Sequence, residues 1–391
     1  MARIKDEEIK NKDGITKKKG TEAKHASPEQ KSGIAVKLLK VFGCILVINV
    51  LITAGTITYL SLTEYKPADT EAMLVEGYTD NPLDLNKDEI FTVMSWNIGY
   101  GALGDNADFF MDGGKSVNTA DPDRLSRNLD NILSEIRSAD SDFVLIQETD
   151  RDSSRSHQID EYELIAAGIP RHSSSFANNF KVSFLPIPMP PIGKVDSGIA
   201  TYSKYDVDSA ERIQLPVPFK WPSRPFNLKR CLLLSRIPVK GSVKELVLVN
   251  LHLEAFDNGE GKVEQTKMLF SLLNAEVQKG NYVIAGGDFN QRFSSVDPQI
   301  YPLQEGTWHP GCINVDEING DWQYLMDETV PSCRSLDKPY AGADHDSFQY
   351  YLIDGFIVSA NIKVKSVKTH DLDFESTDHN PVLLEASLKE K

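Results

Sequence analysis

Cysteine is scarce in this chain of 391 residues, which contains only four. Cys44 lies in an apolar segment near the N-terminus, so Cys231, Cys312 and Cys333 remain, an odd number that cannot pair completely. Their spacing fits no zinc-binding motif, and so few cysteines exclude a small fold held together by disulfides. We expect buried free thiols, with a bridge between Cys312 and Cys333 as the open alternative.

Positive charge is scarce as well, because 57 Asp and Glu outnumber 42 Lys and Arg and give a net charge of −15. The first 40 residues reverse this trend, with eleven basic side chains against six acidic ones, so the rest of the chain carries about −20. Proteins that hold extended nucleic acids neutralise the phosphates with Lys and Arg. The acidity disfavours such a partner without excluding it.

One apolar run is long enough to cross a membrane. Residues 41–62 contain no charged side chain, and about 20 apolar residues in a helix span a bilayer core. Basic residues precede the run, while Glu64, Asp69 and Glu71 follow it. The positive-inside rule therefore predicts a single-pass protein of the cell membrane, with a cytoplasmic N-terminus and an extracytoplasmic C-terminal region. A signal peptide cleaved near Ala54 is the alternative and would give a soluble exported protein.

Composition divides the chain into four predicted parts. Residues 1–40 form a basic, disordered cytoplasmic tail, residues 41–62 a transmembrane helix, residues 63–88 a polar linker, and residues 89–391 one folded domain. Inside this domain two β-α-β patterns occur, with helices predicted at about 122–138 and 262–279. The first pattern ends at Glu148 and the second at Asp288. Alternating strands and helices predict an α/β fold.

Apolar, strand-like runs repeatedly end in side chains that can bind metal or move protons. One such residue would be an ordinary loop cap, but six places of this kind suggest that the strand ends form one polar rim. Hard oxygen donors of this type suit Mg²⁺ or Mn²⁺ better than Zn²⁺. The candidate oxygen donors are Asn97, Glu148, Asp288, Asn290 and Asp378.

Two histidines, His252 and His379, remain for proton transfer and phosphate binding. Asp354 follows another apolar run and is the candidate partner of His379, because a carboxylate fixes the imidazole tautomer and makes the ring more basic. Such a pair can take the proton from an attacking water. No Ser or Cys lies in a nucleophile motif, so the pattern favours direct attack by water over a covalent intermediate.

Six short motifs, in this order, resemble the signature of the endonuclease/exonuclease/phosphatase superfamily. The motifs are Met94-Ser-Trp-Asn-Ile98, Ile146-Gln-Glu148, Asn250-Leu-His252, Gly286-Gly-Asp-Phe-Asn290, Ile353-Asp-Gly355 and Thr377-Asp-His379. The resemblance covers about residues 91–388 and implies a four-layered α/β sandwich of two packed mixed sheets flanked by helices. Thr377 stands where the family usually has Ser, which keeps the hydroxyl.

The resemblance also implies a role for each motif residue. Glu148 would be the principal Mg²⁺ ligand, and His379 would be the general base, supported by Asp354. His252 would contact the scissile phosphate, and the residues of the fourth motif would orient the nucleophile and the phosphate. The implied metal residues are Asn97, Glu148 and Asp378, and the implied catalytic residues are His379, Asp354, His252, Asp288 and Asn290.

We therefore expect an Mg²⁺- or Mn²⁺-dependent hydrolase of phosphate esters, chiefly phosphodiesters, that acts as a monomer on a small phosphorylated molecule or a phospholipid headgroup. An extracellular DNase I-like nuclease is the first alternative, because bound divalent ions would offset the acidity. A non-catalytic binding module is the second, although no motif residue is missing. Asn179 is a possible substrate contact. We interpret Arg224, Lys229 and Arg230 as a solvated face, or alternatively as contacts for an anionic substrate.

Overall fold

The computed structural model describes residues 28–77, 79–84, 90–257 and 259–389. Residues 1–27 of the predicted tail and the predicted domain start at residue 89 lie outside these ranges. Helix α1 (Pro28–Leu62) begins on the N-terminal side of the predicted span, so the helix is longer than the span, whose bounds of 41–62 stay a prediction. Its segment Val36–Leu62 is long and apolar enough to cross a membrane, a test that an N-terminal signal sequence would also pass.

The chain divides into two compact units, residues 1–58 and residues 59–391. The second unit contains all strands and the remaining helices of the described residues. The helices are α2 (Pro122–Ala139), α3 (Glu161–Gly168) and α4 (Glu260–Gln278), and the strands are β1 (Thr70–Met73), β2 (Leu83–Asp84), β3 (Phe91–Asn97), β4 (Phe143–Asp150), β5 (Ser173–Leu185), β6 (Gly193–Ser203), β7 (Ser209–Gln214), β8 (Cys231–Lys240), β9 (Glu245–His252), β10 (Tyr282–Asp288), β11 (Gln291–Phe293), β12 (Gly311–Ile313), β13 (Trp322–Leu325), β14 (Cys333–Arg334), β15 (Tyr350–Tyr351), β16 (Asp354–Ser359), β17 (Ile362–Thr369) and β18 (Val382–Leu388).

Two mixed sheets form the centre of the second unit. Within the described ranges, one sheet has six strands in the order β17-β18-β3-β4-β6-β5, and the other has the order β1-β7-β8-β9-β10-β16-β13, with β2 paired to β8. Strands β3 and β4 are parallel, as are β9 and β10. Each of these two pairs is joined through a helix, α2 in the first and α4 in the second. The two predicted β-α-β patterns are therefore confirmed.

The core has the layers that the sequence predicts. Val93 and Leu145 of the six-stranded sheet lie in one buried cluster with Leu248 and Ile284 of the other sheet. The opposite face of the six-stranded sheet packs against α2 and α3, and α4 covers the outer face of the second sheet. Each buried Leu, Ile, Val or Phe contributes about 1.5–3 kcal/mol. The arrangement helix, sheet, sheet, helix confirms the four-layered α/β sandwich.

Segment 63–88, predicted as a linker, is partly built into the sandwich. Strand β1 pairs with β7, β2 pairs with β8, and an isolated bridge joins Glu76 to Ser174. Unpaired backbone groups at a sheet edge favour the addition of a further strand. These residues therefore extend the eight-stranded sheet, which replaces the linker interpretation for them.

Candidate active site

The polar residues at the strand ends meet at one edge of the sandwich. Asn97 is the last residue of β3, His252 the last of β9 and Asp288 the last of β10. Strand register places Asp288 opposite His252 on one side and opposite Asp354 on the other. Asp354 begins β16 and does not end a strand as predicted, because the preceding strand β15 already stops at Tyr351.

Glu148 lies at an irregularity inside β4, although the sequence predicts that the strand ends there. The register with β6 shifts between Ile146 and Thr149, and Glu148 has a left-handed φ of 51°. Such a conformation costs about 1–3 kcal/mol in a residue other than glycine and is typical of functional sites. The carboxylate Oε1 of Glu148 lies 3.9 Å from His252 Nε2.

Asn97 joins two of the carboxylates. Its amide Nδ2 donates to Glu148 Oε1 at 3.3 Å and to Asp288 Oδ2 at 3.1 Å. Its Oδ1 accepts a hydrogen bond from the backbone N–H of Gly99 at 3.0 Å. In this orientation Asn97 holds the two carboxylates together, and the second lone pair of its Oδ1 is left for a cation.

His379 is held by a carboxylate on one side and faces the cleft on the other. Its Nδ1 donates to Asp354 Oδ2 at 2.8 Å, and its Nε2 lies 3.9 Å from both Asp288 Oδ2 and Asp378 Oδ2. Burial alone would lower the pKa of His379, but the surrounding anionic groups, Asp354 foremost, outweigh burial and raise this pKa well above its usual value.

His252 has the opposite environment. Burial, reinforced by the positive charges of Arg230 and His379, lowers the pKa of His252 well below its usual value. Its Nε2 lies 3.4 Å from Asp288 Oδ2. His252 is therefore neutral at physiological pH, and its ring can donate one hydrogen bond. Two titratable groups whose pKa values are moved apart in one cleft suit separate roles in acid–base chemistry.

Buried carboxylates crowd the same place, which suits a divalent cation. Burial and the neighbouring Asp378 raise the pKa of Glu148, and burial also raises the pKa of Asp378. Burial and Asp354 raise the pKa of Asp288 to about 7. Like charges in a poorly solvated site repel one another, and a bound cation would offset this cost. The donors are mainly carboxylate oxygens, so the residues fit a hard cation such as Mg²⁺.

Seven of the eight predicted site residues line one cleft of about 770 Å³. The eighth, Asp354, lies behind His379. Asn179, a possible substrate contact, also lines this cleft. Asn290 is fixed by its Nδ2, which donates to the carbonyl of Leu253 at 2.9 Å, so its amide oxygen is the atom left for the cleft.

Several residues of the cleft were not singled out from the sequence. Arg155 lies with its guanidinium 3.6 Å from the ring centre of Tyr100 and pairs with Asp150 at 3.0 Å. Asp112 also lines the cleft, and burial together with the nearby site carboxylates raises its pKa to about 7. Neither residue lies in a motif or a periodic pattern, so the sequence offers little signal for them.

The solvated-face interpretation is wrong for two of the three basic residues. Lys229 and Arg230 are buried, whereas Arg224 is half-exposed. Arg230 lines the cleft, and its Nη1 donates to the backbone carbonyl of His252 at 3.3 Å. The alternative interpretation, contact with an anionic substrate, therefore fits Arg230 best.

The cysteines form no disulfide within the described residues. Cys231 and Cys333 are buried free thiols, and Cys312 is exposed and free. Cys333 was not predicted near the site, but it pairs with His379 in an isolated backbone bridge. The side chains of Cys333, Asp378 and His379 bring three possible metal donors within 4.8 Å of one another, as do those of Asp288, Asp354 and His379.

Solved structures of other proteins are similar to this chain. An endonuclease/exonuclease/phosphatase from Beutenbergia cavernae DSM 12333 is 17% identical, with a TM-score of 0.51, and the match covers 77% of this chain and 72% of that one. A Bacteroides vulgatus endonuclease/exonuclease/phosphatase is 15% identical over 77% of this chain and 100% of that one, with a TM-score of 0.49. The human Nocturnin catalytic domain with bound sulfate is 15% identical over 81% and 97%, with a TM-score of 0.46. No curated protein matches the sequence.

The sequence also matches a family model described as "Endonuclease/Exonuclease/phosphatase family" over residues 94–379. The match begins in β3 and ends at His379, so it spans the strands that carry the cleft residues. Because it covers most of the chain, the chain belongs to the endonuclease/exonuclease/phosphatase family, whose members are metal-dependent phosphoester hydrolases.

Proposed function

We propose that this protein hydrolyses phosphodiesters with the help of Mg²⁺ or Mn²⁺, by direct attack of a water molecule that His379 activates. The observation that carries the proposal is the pair of His379 and Asp354, joined at 2.8 Å at the edge of a carboxylate-lined cleft. The proposed substrate class is a small phosphorylated molecule or a phospholipid headgroup, because the chain outside the basic tail carries about −20 and lacks a general attraction for nucleic acid.

His379 would act as the general base. Since Nδ1 is bonded to Asp354, the free Nε2 would take the proton from water as its oxygen attacks phosphorus. The Asp354 carboxylate keeps the ring in the required tautomer and stabilises the imidazolium that forms. A positioned general base contributes about 10²- to 10⁴-fold to the rate.

His252, Asn290 and Asp288 would position the reacting groups. The neutral His252 ring can donate from Nε2 to a phosphoryl oxygen, which stabilises the negative charge that grows there. The Asn290 amide oxygen can accept a hydrogen bond from the attacking water. Asp288 supports this arrangement, because its Oδ1 accepts a hydrogen bond from the backbone N–H of Asn290 at 2.8 Å.

Glu148, Asp378 and Asn97 are the proposed metal residues, and Asn97 would also steady Glu148 through the hydrogen bond already described. A bound divalent cation would polarise the phosphoryl group and offset its charge. Arg155 and Arg230 line the same cleft, each paired with a carboxylate, Asp150 and Glu254 respectively, and both would donate hydrogen bonds to a phosphate.

We further infer that α1 anchors the protein in the cell membrane as a single span, with the N-terminus in the cytoplasm and the catalytic unit outside. The basic residues before the span and the acidic ones after it support this orientation. The full chain would then act as a monomer beside the membrane surface.

A hydrolysis panel with the purified full chain tests the proposed reaction. The substrates are bis-para-nitrophenyl phosphate, inositol phosphates, phospholipids in vesicles, plasmid DNA and RNA. His379→Ala should lower the rate by about 10²- to 10⁴-fold, and chelation should stop turnover until Mg²⁺ or Mn²⁺ is added back. The best substrate should be a small diester or a phospholipid.

His370→Ala is the matched control, because His370 also pairs with a carboxylate, Glu135, at 2.9 Å, but does not line the cleft. This variant should keep the wild-type rate. A wild-type rate in His379→Ala would remove the general base from the proposal. Rescue by Zn²⁺ and not by Mg²⁺ or Mn²⁺ would contradict the oxygen-ligand argument, and a marked preference for DNA or RNA would indicate a nuclease.

A further inference from the structure

The last residues of α1 are built into the hairpin of β5 and β6. Leu60 is only 3% exposed and lies in one buried cluster with Val182, Leu185 and Val195. Trp221 Nε1 donates to Ser61 Oγ at 3.2 Å. All of these residues belong to the second unit. The hairpin therefore lies beside the point where the chain leaves the proposed membrane span.

An ion pair strengthens this attachment. Glu64, two residues beyond the helix, has a largely buried carboxylate 3.5 Å from Lys229 Nζ and 3.4 Å from Arg224 Nε. The uncharged residues 41–58 remain for the bilayer, and their length lies within the range of about 17–25 residues that crosses its core. The catalytic unit thus has little free chain between itself and the membrane surface.

Three large exposed apolar side chains adjoin this attachment: Phe184 precedes Leu185 in β5, Met189 lies four residues after Leu185, and Trp221 donates to Ser61. Phe184 is 46% exposed, Met189 82% and Trp221 68%. Phe184 lies at the end of β5 and Met189 in the loop that leads to β6. Exposed apolar residues that cluster in one place, rather than lying singly, mark surfaces that contact a partner or a membrane. We call Phe184, Met189 and Trp221 the membrane rim.

The hairpin also supplies one side of the catalytic cleft. This side, here called the apolar wall, begins at Leu185, whose side chain lies in the cluster with Leu60 and also lines the cleft. The cleft therefore combines a charged floor with an apolar side next to the helix end. The apolar wall consists of Leu185, Ile187, Pro188 and Ile192 of the hairpin, together with Phe219 and Phe226 from the segment between β7 and β8.

A substrate that contacts both surfaces of the cleft needs a charged part and an apolar part. The floor with its carboxylates and histidines suits a phosphodiester and a cation. The apolar wall gains about 25 cal/mol for each Å² of apolar substrate surface that it removes from water. Four of its six side chains, Leu185, Ile187, Pro188 and Ile192, are aliphatic and give a nucleobase no ring to stack on, whereas the acyl chains of a phospholipid match them.

We propose that the cleft takes its phosphodiester from a phospholipid of the same bilayer that holds α1. The membrane rim dips into the interface, and the apolar wall covers the part of the acyl chains nearest the headgroup. Water adds its oxygen to phosphorus, one P–O ester bond breaks, and the leaving alcohol oxygen takes up a proton. This proposal rests on the proposed function and narrows its substrate class to membrane lipids.

The test compares two substrates of the full chain reconstituted in phosphatidylcholine and phosphatidylglycerol vesicles. One is a fluorescent phospholipid in the same bilayer, and the other is bis-para-nitrophenyl phosphate in the surrounding water. The double variant Phe184→Glu with Met189→Glu changes rim residues that do not line the cleft. Its rate on the lipid, relative to its rate on the soluble diester, should fall at least tenfold.

Val243→Glu is the matched control, since Val243 is 94% exposed in the turn between β8 and β9, outside the rim and the cleft. It should leave the ratio of the two rates unchanged. An unchanged ratio in the double variant would overturn the proposal, and so would hydrolysis of the soluble diester without any hydrolysis of phospholipid. If hydrolysis of the soluble diester does not depend on His379, the proposed function itself fails.

Trp221 gives a second measurement that needs no turnover. Vesicles made with brominated acyl chains should quench the fluorescence of the full chain. Most of this quenching should disappear in Trp221→Phe, because Trp221 is the rim tryptophan. Equal quenching of the wild type and of Trp221→Phe would contradict insertion of the rim.

Discussion

The two histidines of the cleft show how strongly a local environment decides what one residue type can do. His379 has a carboxylate bonded to Nδ1 and two more within 3.9 Å of Nε2. His252 lies beside the Arg230 guanidinium, and its Nδ1 has no hydrogen-bond partner among the described residues. The pKa of one ring is raised and that of the other is lowered, as the proposed roles of proton uptake for His379 and hydrogen-bond donation for His252 require.

Asp354→Asn should shift the pH dependence of kcat/KM. The base works only when unprotonated, so the rate rises with pH as His379 loses its proton. Asp354 raises the pKa of His379, and its neutralisation should lower that pKa and move the acidic limb to lower pH. The maximal rate should also fall, by no more than the roughly 10²- to 10⁴-fold that a general base contributes.

The same substitution in the second histidine–carboxylate pair is the control for this experiment. Glu135→Gln removes the charge beside His370 and should change neither the pH profile nor the rate. An acidic limb that stays in place, or that moves to higher pH, in Asp354→Asn would show that Asp354 does not set the pKa of the base.

Glu148→Gln should weaken metal binding. The change keeps the shape of the side chain but removes a charge from the proposed metal site, so the Mg²⁺ concentration for half-maximal rate should rise about tenfold or more. A Mg²⁺ titration of the rate measures this shift. Glu264→Gln, at an exposed glutamate paired with Lys267, is the control. Identical titrations for Glu148→Gln and wild type would place the metal elsewhere.

The sequence predicted the residues that lie in short motifs, because each motif joins a strand end to one chemically distinctive side chain. It did not reveal Arg155 or the burial of Arg230. A buried or half-buried arginine needs partners, and although Asp150 is only five positions from Arg155, the other partners are distant along the chain. Tyr100 for Arg155 and the His252 carbonyl for Arg230 are such partners, and no local pattern indicates them.

Individual strands were predicted better than their ends. Periodicity indicated β3, β9 and β10 within a few residues, because a buried strand is a run of apolar side chains. The path of β4 beyond Glu148 depends on β6, which follows about 50 residues later and pairs with it on both sides of the irregularity. Strands β1 and β2 likewise form by pairing with β7 and β8, which come much later in the chain. The sequence of segment 63–88 by itself therefore predicts a linker.

Gly287→Ala should disrupt the strand pair that carries His252 and Asp288. Gly287 has a φ of 151°, and a Cβ there would lie 1.9 Å from the carbonyl oxygen of Leu251 in β9. Such crowding should lower the free energy of unfolding by about 1–3 kcal/mol. Thermal unfolding followed by near-ultraviolet circular dichroism measures it, and kcat should fall because the two side chains separate.

Gly342→Ala separates crowding from backbone conformation. Gly342 also has a positive φ, 73°, but a Cβ there would meet no atom within 4 Å. This variant should lose less stability than Gly287→Ala and should keep its activity. Equal losses in the two variants would show that close strand contact does not limit position 287.

At the scale of the whole molecule, charge and apolar surface are arranged along the chain. The basic excess lies in the first 40 residues, the span follows, and the acidic catalytic unit comes last. Acidic side chains follow the span, and the rim and wall lie beside its end. This order agrees with the proposed orientation, since a lipid-facing hairpin can work only on the side of the membrane where the catalytic unit lies.

The exposed thiol of Cys312 can report that orientation. Cys231 and Cys333 are buried, and Cys44 lies in the proposed span, which leaves Cys312 as the accessible cysteine of the described residues. A membrane-impermeant maleimide added to intact cells should label the protein if the catalytic unit is extracytoplasmic. The label should disappear in Cys312→Ser, which serves as the background for a second probe.

Ser27→Cys in this background places a thiol on the other side of the span. It should react only after the membrane is permeabilised, because the positive-inside rule keeps the basic tail in the cytoplasm. The reverse pattern, with Cys312 labelled only after permeabilisation, would contradict the orientation. Labelled Cys312 on a protein released into the medium would identify α1 as a cleaved signal, and the lipid-facing hairpin would then have no anchor to hold it at the membrane.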